Sequence, residues 1–189
     1  MSTAADGVLR WAEIDVDALA GNAQVIAALV HPAQVMAMVK SNGYGHGMAI
    51  AARAAIDGGA TWLGVYTPQE ALALRGAGFR APILVVGWSP ASTLSQLIEA
   101  GVDVSVFDAE GVRSVAAAAA ASGGARVHVK IDTGLHRLGA LPETLESLAA
   151  ALREAGGRIK VAGVFTHFAD AGGDPAFTIT QHDRFLQAV

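Results

Sequence analysis

The chain has 189 residues, 52% hydrophobic and 16% charged, with a formal net charge of −4 and no cysteine. That composition is globular rather than disordered, and the length suits one substantial core. It excludes disulfides and thiolate metal sites, and an acidic balance without a basic run argues against a nucleic-acid partner.

Trp11 to Val16 reads as a short strand, and Asp17 as the N-cap of a helix running to about Val30. The apolar run Val35–Val39 then ends abruptly in Lys40, followed by Gly43, Gly45 and Gly47. That run is too short for a helix and apolar on both alternating faces, which predicts a strand buried on both sides. A helix is expected from about His46 to Asp57, with an N-terminus able to attract an anion across the glycines. Trp62–Tyr66 is the next apolar run. Thr67-Pro-Gln-Glu70 supplies a capping box with proline at the first helical position, for a helix to Arg75. Pro82–Gly87 and Val102–Phe107 are further strands, separated by a helix from about Pro90 to Ala100. Asp108 caps a helix through the run Ala116–Ala121. Arg126–Asp132 reads as a strand, Pro142–Ala155 as a helix and Ile159–Phe168 as the last strand. An amphipathic segment from about Asp174 runs to the terminus.

Strand and helix alternate throughout, which predicts a parallel sheet with right-handed crossovers. Counted from Val35 there are six βα units, with no domain linker. Lys40, the Lys130–Asp132 pair and His167 fall at the C-terminal ends of three different strands. Chemistry gathered on one rim points to a (β/α)8 TIM-type barrel, of which six units are present. A doubly wound sheet would gather it at a single switch point. Along Arg126–Asp132, Val127, Val129 and Ile131 share the face expected against helices. His128, Lys130 and Asp132 share the face expected inside the barrel. A lysine buried there must be neutral, paired or modified.

Mean hydropathy is +0.41, yet it comes from dispersed Ala, Val and Leu, so no membrane span is predicted. Met1–Gly7 lacks the basic and apolar regions of a secretory leader. The absence of cysteine fits a reducing compartment, and the expected location is cytoplasmic.

Taken alone, a lysine at a strand end beside a glycine-lined anion site suggests a Schiff-base lysine and a phosphate-bearing cofactor such as pyridoxal phosphate. The plain alternative is a solvated lysine before a flexible loop. Three segments carry a closer resemblance. Val39-Lys-Ser-Asn-Gly-Tyr-Gly-His-Gly47 is similar to the cofactor-lysine motif of alanine racemases, which are fold-type III pyridoxal-phosphate enzymes. Lys130-Ile-Asp-Thr-Gly-Leu-His-Arg-Leu-Gly139 resembles that family's second signature, and Thr166-His-Phe168 its third. Trp11-Ala-Glu-Ile-Asp-Val-Asp-Ala-Leu19 and Asn22 also match the family's start, so the resemblance covers essentially the whole chain.

The resemblance implies a role for each matching position. Lys40 would hold pyridoxal phosphate covalently and act as a base on one face of the substrate Cα. Tyr44 would hydrogen-bond the cofactor phosphate, and His167 would lie against the pyridine ring. Arg137 would contact the cofactor's phenolic oxygen and the substrate carboxylate. Lys130 matches a position carbamylated in many members, which would turn a buried cation into an anion that orients Arg137. The activity implied is interconversion of L- and D-alanine for peptidoglycan, in a homodimer whose second base is a tyrosine from the partner's C-terminal domain.

Ser41, Gly43 and Leu135 depart slightly from the family pattern, and Tyr66 is bulkier than usual at the end of its strand. The length departs most. Residues 1–189 match an N-terminal barrel portion without the family's C-terminal β domain, so a truncated form with weak or no turnover is expected. A non-catalytic single-domain pyridoxal-phosphate-binding barrel is the alternative on length. A weaker reading makes His46, Asp132, His167 and Asp170 the ligands of a metallohydrolase.

Overall fold

The computed structural model describes residues 10–189. The leader reading of Met1–Gly7 concerns residues outside that range. In chain order the elements are α1 (Val16–Val30), β1 (Met36–Met38), α2 (Met48–Asp57), β2 (Trp62–Val65), α3 (Pro68–Gly76), β3 (Ile83–Val85) and α4 (Ala91–Glu99). They continue with β4 (Asp103–Val106), α5 (Ala109–Ala119), β5 (Ala125–Lys130), α6 (Leu145–Ala155), β6 (Ile159–Phe165) and α7 (Pro175–Ala188). All six strands are parallel and pair strictly in sequence order, β1 through β6. A helix fills every crossover, and the order never reverses. This is the wall of a (β/α) barrel rather than a doubly wound sheet. Among the described residues, β1 and β6 do not pair with each other, so the wall is open between them.

Local chemistry explains the elements. Thr67 Oγ1 accepts the N–H of Glu70, and the Glu70 carboxylate accepts the N–H of Thr67, a complete capping box with Pro68 behind it. Asp108 and Asp174 cap α5 and α7 by accepting the N–H of Gly111 and Phe177. The outward rows of the strands, such as Leu63, Val65, Ile83, Val85 and Val127, are fully buried against helix residues such as Leu74 and Leu97. Burying one such side chain is worth roughly 1.5–3 kcal/mol.

The barrel interior is polar at its lower end. The buried Asp103 of β4 accepts hydrogen bonds from Arg126 Nε and His128 Nε2 of β5, both at 3.0 Å. The β5–β6 register shifts after Val127, so that Gly163 rather than a residue with a side chain faces His128. A Cβ there would lie 2.8 Å from His128 Nδ1.

Several expectations need correction. Residues 10–15 form no strand, and Asp15 rather than Asp17 caps α1, its carboxylate accepting the N–H of Ala18. Trp11 stays exposed, its indole N–H donating to the neighbouring Glu13. β1 is shorter than Val35–Lys40 and only half-buried, because it lies at an edge of the sheet with one neighbour. β6 stops at Phe165, short of Phe168. The helix expected from Pro142 begins with a single 3-10 turn and becomes regular only at Leu145.

Candidate functional site

Lys40 enters on an unusual piece of backbone. Ser41, Asn42, Gly43 and Tyr44 follow it with φ of 52°, 54°, 62° and 53°, one left-handed turn in which three residues carry a side chain. Such residues cost of order 1 kcal/mol each and persist only where the surroundings hold them. Gly43 is the one buried member, where a Cβ would come 2.9 Å from that of Ala51. Asn42 Oδ1 accepts the N–H of Met48, so the protein itself occupies that amide at the start of α2. The anion expected at this helix end therefore has a competitor already in place.

The turn delivers Lys40 to a cavity of about 280 Å³ at the C-terminal ends of the strands. That volume is at the small end for ligand sites, which run roughly 300–1,000 Å³. Met36, Met38 and Leu84 contribute apolar walls, while Lys40, Lys130, Arg137 and His167 contribute nitrogen. Lys40 Nζ lies 5.7 Å from the centroid of the Tyr44 ring and 5.5 Å from that of Tyr66, within cation–π range of both. Lys130 is only 4% exposed. Burial pushes its ammonium below the usual lysine range, and Arg137 and Lys40 add repulsion that Asp132 offsets only in part. Burial, Arg137, Lys130 and Lys40 likewise favour the neutral imidazole of His167. Among the described residues neither Lys130 nor Arg137 forms an ion pair. The cavity thus holds cations in excess, an arrangement suited to an anionic ligand.

A separate set of bonds holds the loop that carries Arg137. Asp132 Oδ1 accepts the N–H groups of Gly134 and His136 at 2.9 and 3.1 Å. These bonds outweigh burial and hold its carboxyl below the usual range. Gln181 of α7 is fully buried: it accepts the N–H of Ala169 at 2.8 Å and donates to Thr133 Oγ1 at 3.1 Å. Arg184 donates to the carbonyl of Thr133.

A larger cavity, about 340 Å³, lies between α4 and α5 beside Trp88, Asp108 and Glu110. It lacks basic side chains, which makes it a poor match for an anion. The metal reading fails on geometry. No group of three His, Cys, Asp or Glu among the described residues is placed to hold an ion. His46 is spent on the carbonyl of Gly43, Asp132 on its own loop, and Asp170 on the N–H of Gly173.

The family profile described as "Alanine racemase, N-terminal domain" matches residues 14–189. The chain belongs to the alanine racemase family. An alanine racemase of Thermobifida fusca is 46% identical over 183 residues, covering 94% of this chain and 49% of that protein. One from Frankia casuarinae is 44% identical, covering 100% and 50%. A solved alanine racemase from Streptomyces lavendulae superposes with a TM-score of 0.86 at 42% identity, over 93% of this chain and 47% of its own. Another from Bacillus anthracis, solved with bound L-Ala-P, gives 0.86 at 33%. The chain spans about half the length of the curated alanine racemases it matches.

Within this alanine racemase domain, Lys40, Tyr44, Lys130, Arg137 and His167 all line one cavity, although they come from four separate segments. Sequence reasoning missed the left-handed turn, the reach of Glu70 beyond its capping box, and the clamp made by Gln181. The box was visible as a pattern. The turn lacked a signal at Ser41, since serine rarely adopts a positive φ.

Proposed function

We propose that the chain is the cofactor-binding part of a pyridoxal-phosphate-dependent alanine racemase. The observation that carries this is the convergence of Lys40, Lys130, Arg137 and His167 on one small cavity with cations in excess. The donor set fits the cofactor: an amine for its aldehyde, and positive charge for its phosphate and for a substrate carboxylate. Bound there, pyridoxal phosphate supplies an electron sink that makes the Cα proton of an amino acid removable.

The chain's own residues do the rest. Lys40 holds the cofactor and takes or returns the proton on one face of Cα. The Tyr44 hydroxyl binds phosphate, Arg137 binds the substrate carboxylate through its guanidinium fork, and His167 flanks the cofactor ring. Lys130, carbamylated, turns from a cation that repels Arg137 into an anion that orients it. Walls of Met and Leu with Tyr66 at the rim favour a side chain as small as that of alanine. The second acid–base group, needed on the opposite face, comes from a partner in a homodimer. A chain without cysteine suits the reducing cytoplasm, where we place it. A non-catalytic carrier has no use for an arginine that binds a substrate carboxylate, and Arg137 in the cavity therefore favours the enzyme.

The test is to incubate the chain with pyridoxal phosphate, reduce with borohydride and map the labelled peptide. Label confined to Lys40 is expected. Label on Lys130 or Lys160 instead sinks the assignment.

A further inference from the structure

Glu70 lies on α3, outside the cavity, yet its carboxylate reaches the peptide next to Lys40. Oε2 accepts the N–H of Tyr66 at 2.9 Å and of Thr67 at 3.0 Å. Oε1 accepts the N–H of Ser41 at 2.6 Å, a contact between residues 29 apart in sequence. A capping box uses only the bond to the N-cap amide. The other two bonds go beyond helix capping: one joins the turn after β1, the other the end of β2.

Ser41 opens the left-handed turn. Gly43 N–H is held by the carbonyl of Val39, and Met48 N–H by Asn42, but the Ser41 amide is held by Glu70. The same carboxylate holds the backbone of Tyr66, whose ring flanks Lys40 Nζ. We propose that Glu70 is a positioning residue for Lys40, fixing the Lys40–Ser41 peptide against the end of β2 and so placing the amine beside Tyr66 in the cavity. This rests on the reading of Lys40 as the cofactor lysine. Burial pushes the Glu70 carboxyl up, but the amides of Ser41, Thr67 and Tyr66 outweigh it and keep the group ionised, as the tie requires.

Glu70→Gln and Thr67→Ala separate the tie from helix capping. The glutamine has one acceptor oxygen and cannot serve both sides of the bridge. Thr67→Ala breaks the box yet leaves the carboxylate on Ser41. Two quantities are read on each variant: amide hydrogen exchange at Ser41, and borohydride-trapped pyridoxal phosphate at Lys40, with the exposed Lys160 as internal control. In Glu70→Gln, exchange at Ser41 is expected at least tenfold faster and labelling of Lys40 at least tenfold lower, with Lys160 unchanged. Thr67→Ala is expected within threefold of wild type in both. Should Glu70→Gln fail to fold, Glu70→Asp keeps the charge on α3 but is one methylene too short, and the same outcome is expected. Wild-type behaviour in the Glu70 variant, one effect without the other, or equal losses in Thr67→Ala overturns the proposal. A wild-type chain that leaves Lys40 unlabelled overturns the cofactor reading itself, and with it the lysine's role. Exchange at Ser41 then still decides whether Glu70 holds the turn.

Discussion

The ammonium of Lys130 shares its cavity with Arg137 and Lys40 and has no ion-pair partner among the described residues. An unpaired buried cation is destabilising, so an apolar side chain of similar length should be better tolerated. Lys130→Met is therefore expected to raise the melting temperature of the free chain by a few degrees, about 1 kcal/mol. The pH dependence has a definite sign. Because the folded pKa of Lys130 is depressed, the unfolded chain binds more protons in the window just below the ordinary lysine value. Wild-type stability should rise with pH across that window, and the rise should shrink in Lys130→Met. Bicarbonate, by carbamylating Lys130, should stabilise wild type and leave Lys130→Met unchanged. Thermal melts with and without bicarbonate check all three. Asp132 supports a second residue-scale expectation. Its Oδ1 accepts two loop amides, so Asp132→Ala should cost about 1–2 kcal/mol in a urea titration. Asp132→Asn keeps an acceptor oxygen and should cost clearly less.

At the scale of elements, α1 illustrates how much is decided by contact rather than by pattern. None of its residues is fully buried, yet it lies against the end of α2 at Gly58. A Cβ at Gly58 would run into the carbonyl of Ala20 and come 2.7 Å from the Cβ of Ala23. Gly58→Ala should therefore cost about 1–3 kcal/mol by pushing the helices apart. Gly21, inside α1, has nothing within 4 Å of the same construction. Gly21→Ala should stabilise by up to about 1 kcal/mol through helix propensity alone. Opposite signs in paired thermal melts are the expected result. Equal effects would mean that α1 does not pack on α2 as described.

For the whole molecule, the Asp103–Arg126–His128 network ties β4 to β5 inside the barrel. Burial pushes the Asp103 carboxyl up, but His128 and Arg126 outweigh it and hold it below the usual range. Its contribution is fully present above the unfolded carboxylate pKa and is lost as pH falls through the lower folded value. Asp103→Asn should cost about 2 kcal/mol near neutrality, and its deficit against wild type should shrink as the solution is acidified into that range. Denaturant titrations at several pH values measure this. Among the described residues the wall is open between β6 and β1, and the proposed reading takes its second acid–base group from a partner subunit. The 189-residue chain is expected to trap cofactor at Lys40 but to racemise alanine far more slowly than the Thermobifida fusca protein, at saturating pyridoxal phosphate. Rates within tenfold of each other would refute the account of the second base.

The order of strands and helices was legible because a buried strand and an amphipathic helix each write their period into the chain, as Leu63–Val65 and the Thr67–Glu70 box show. The barrel reading followed from Lys40, Lys130 and His167 standing at strand ends. The strand expected over Trp11–Val16 failed because apolar residues at a chain margin look the same whether or not a neighbouring strand exists to pair with them. The proposal of Lys40 as the cofactor lysine rests on a local motif. The contacts that surround it were not legible there. The amide of Ser41, which opens the left-handed turn, is held by an oxygen of Glu70, 29 residues further on. Gln181 reaches Thr133 across 48 residues in the same way. Sequence alone named the residues proposed to carry the chemistry. Tertiary structure decided where they point, because a hydrogen bond between distant segments leaves no periodic trace in either one.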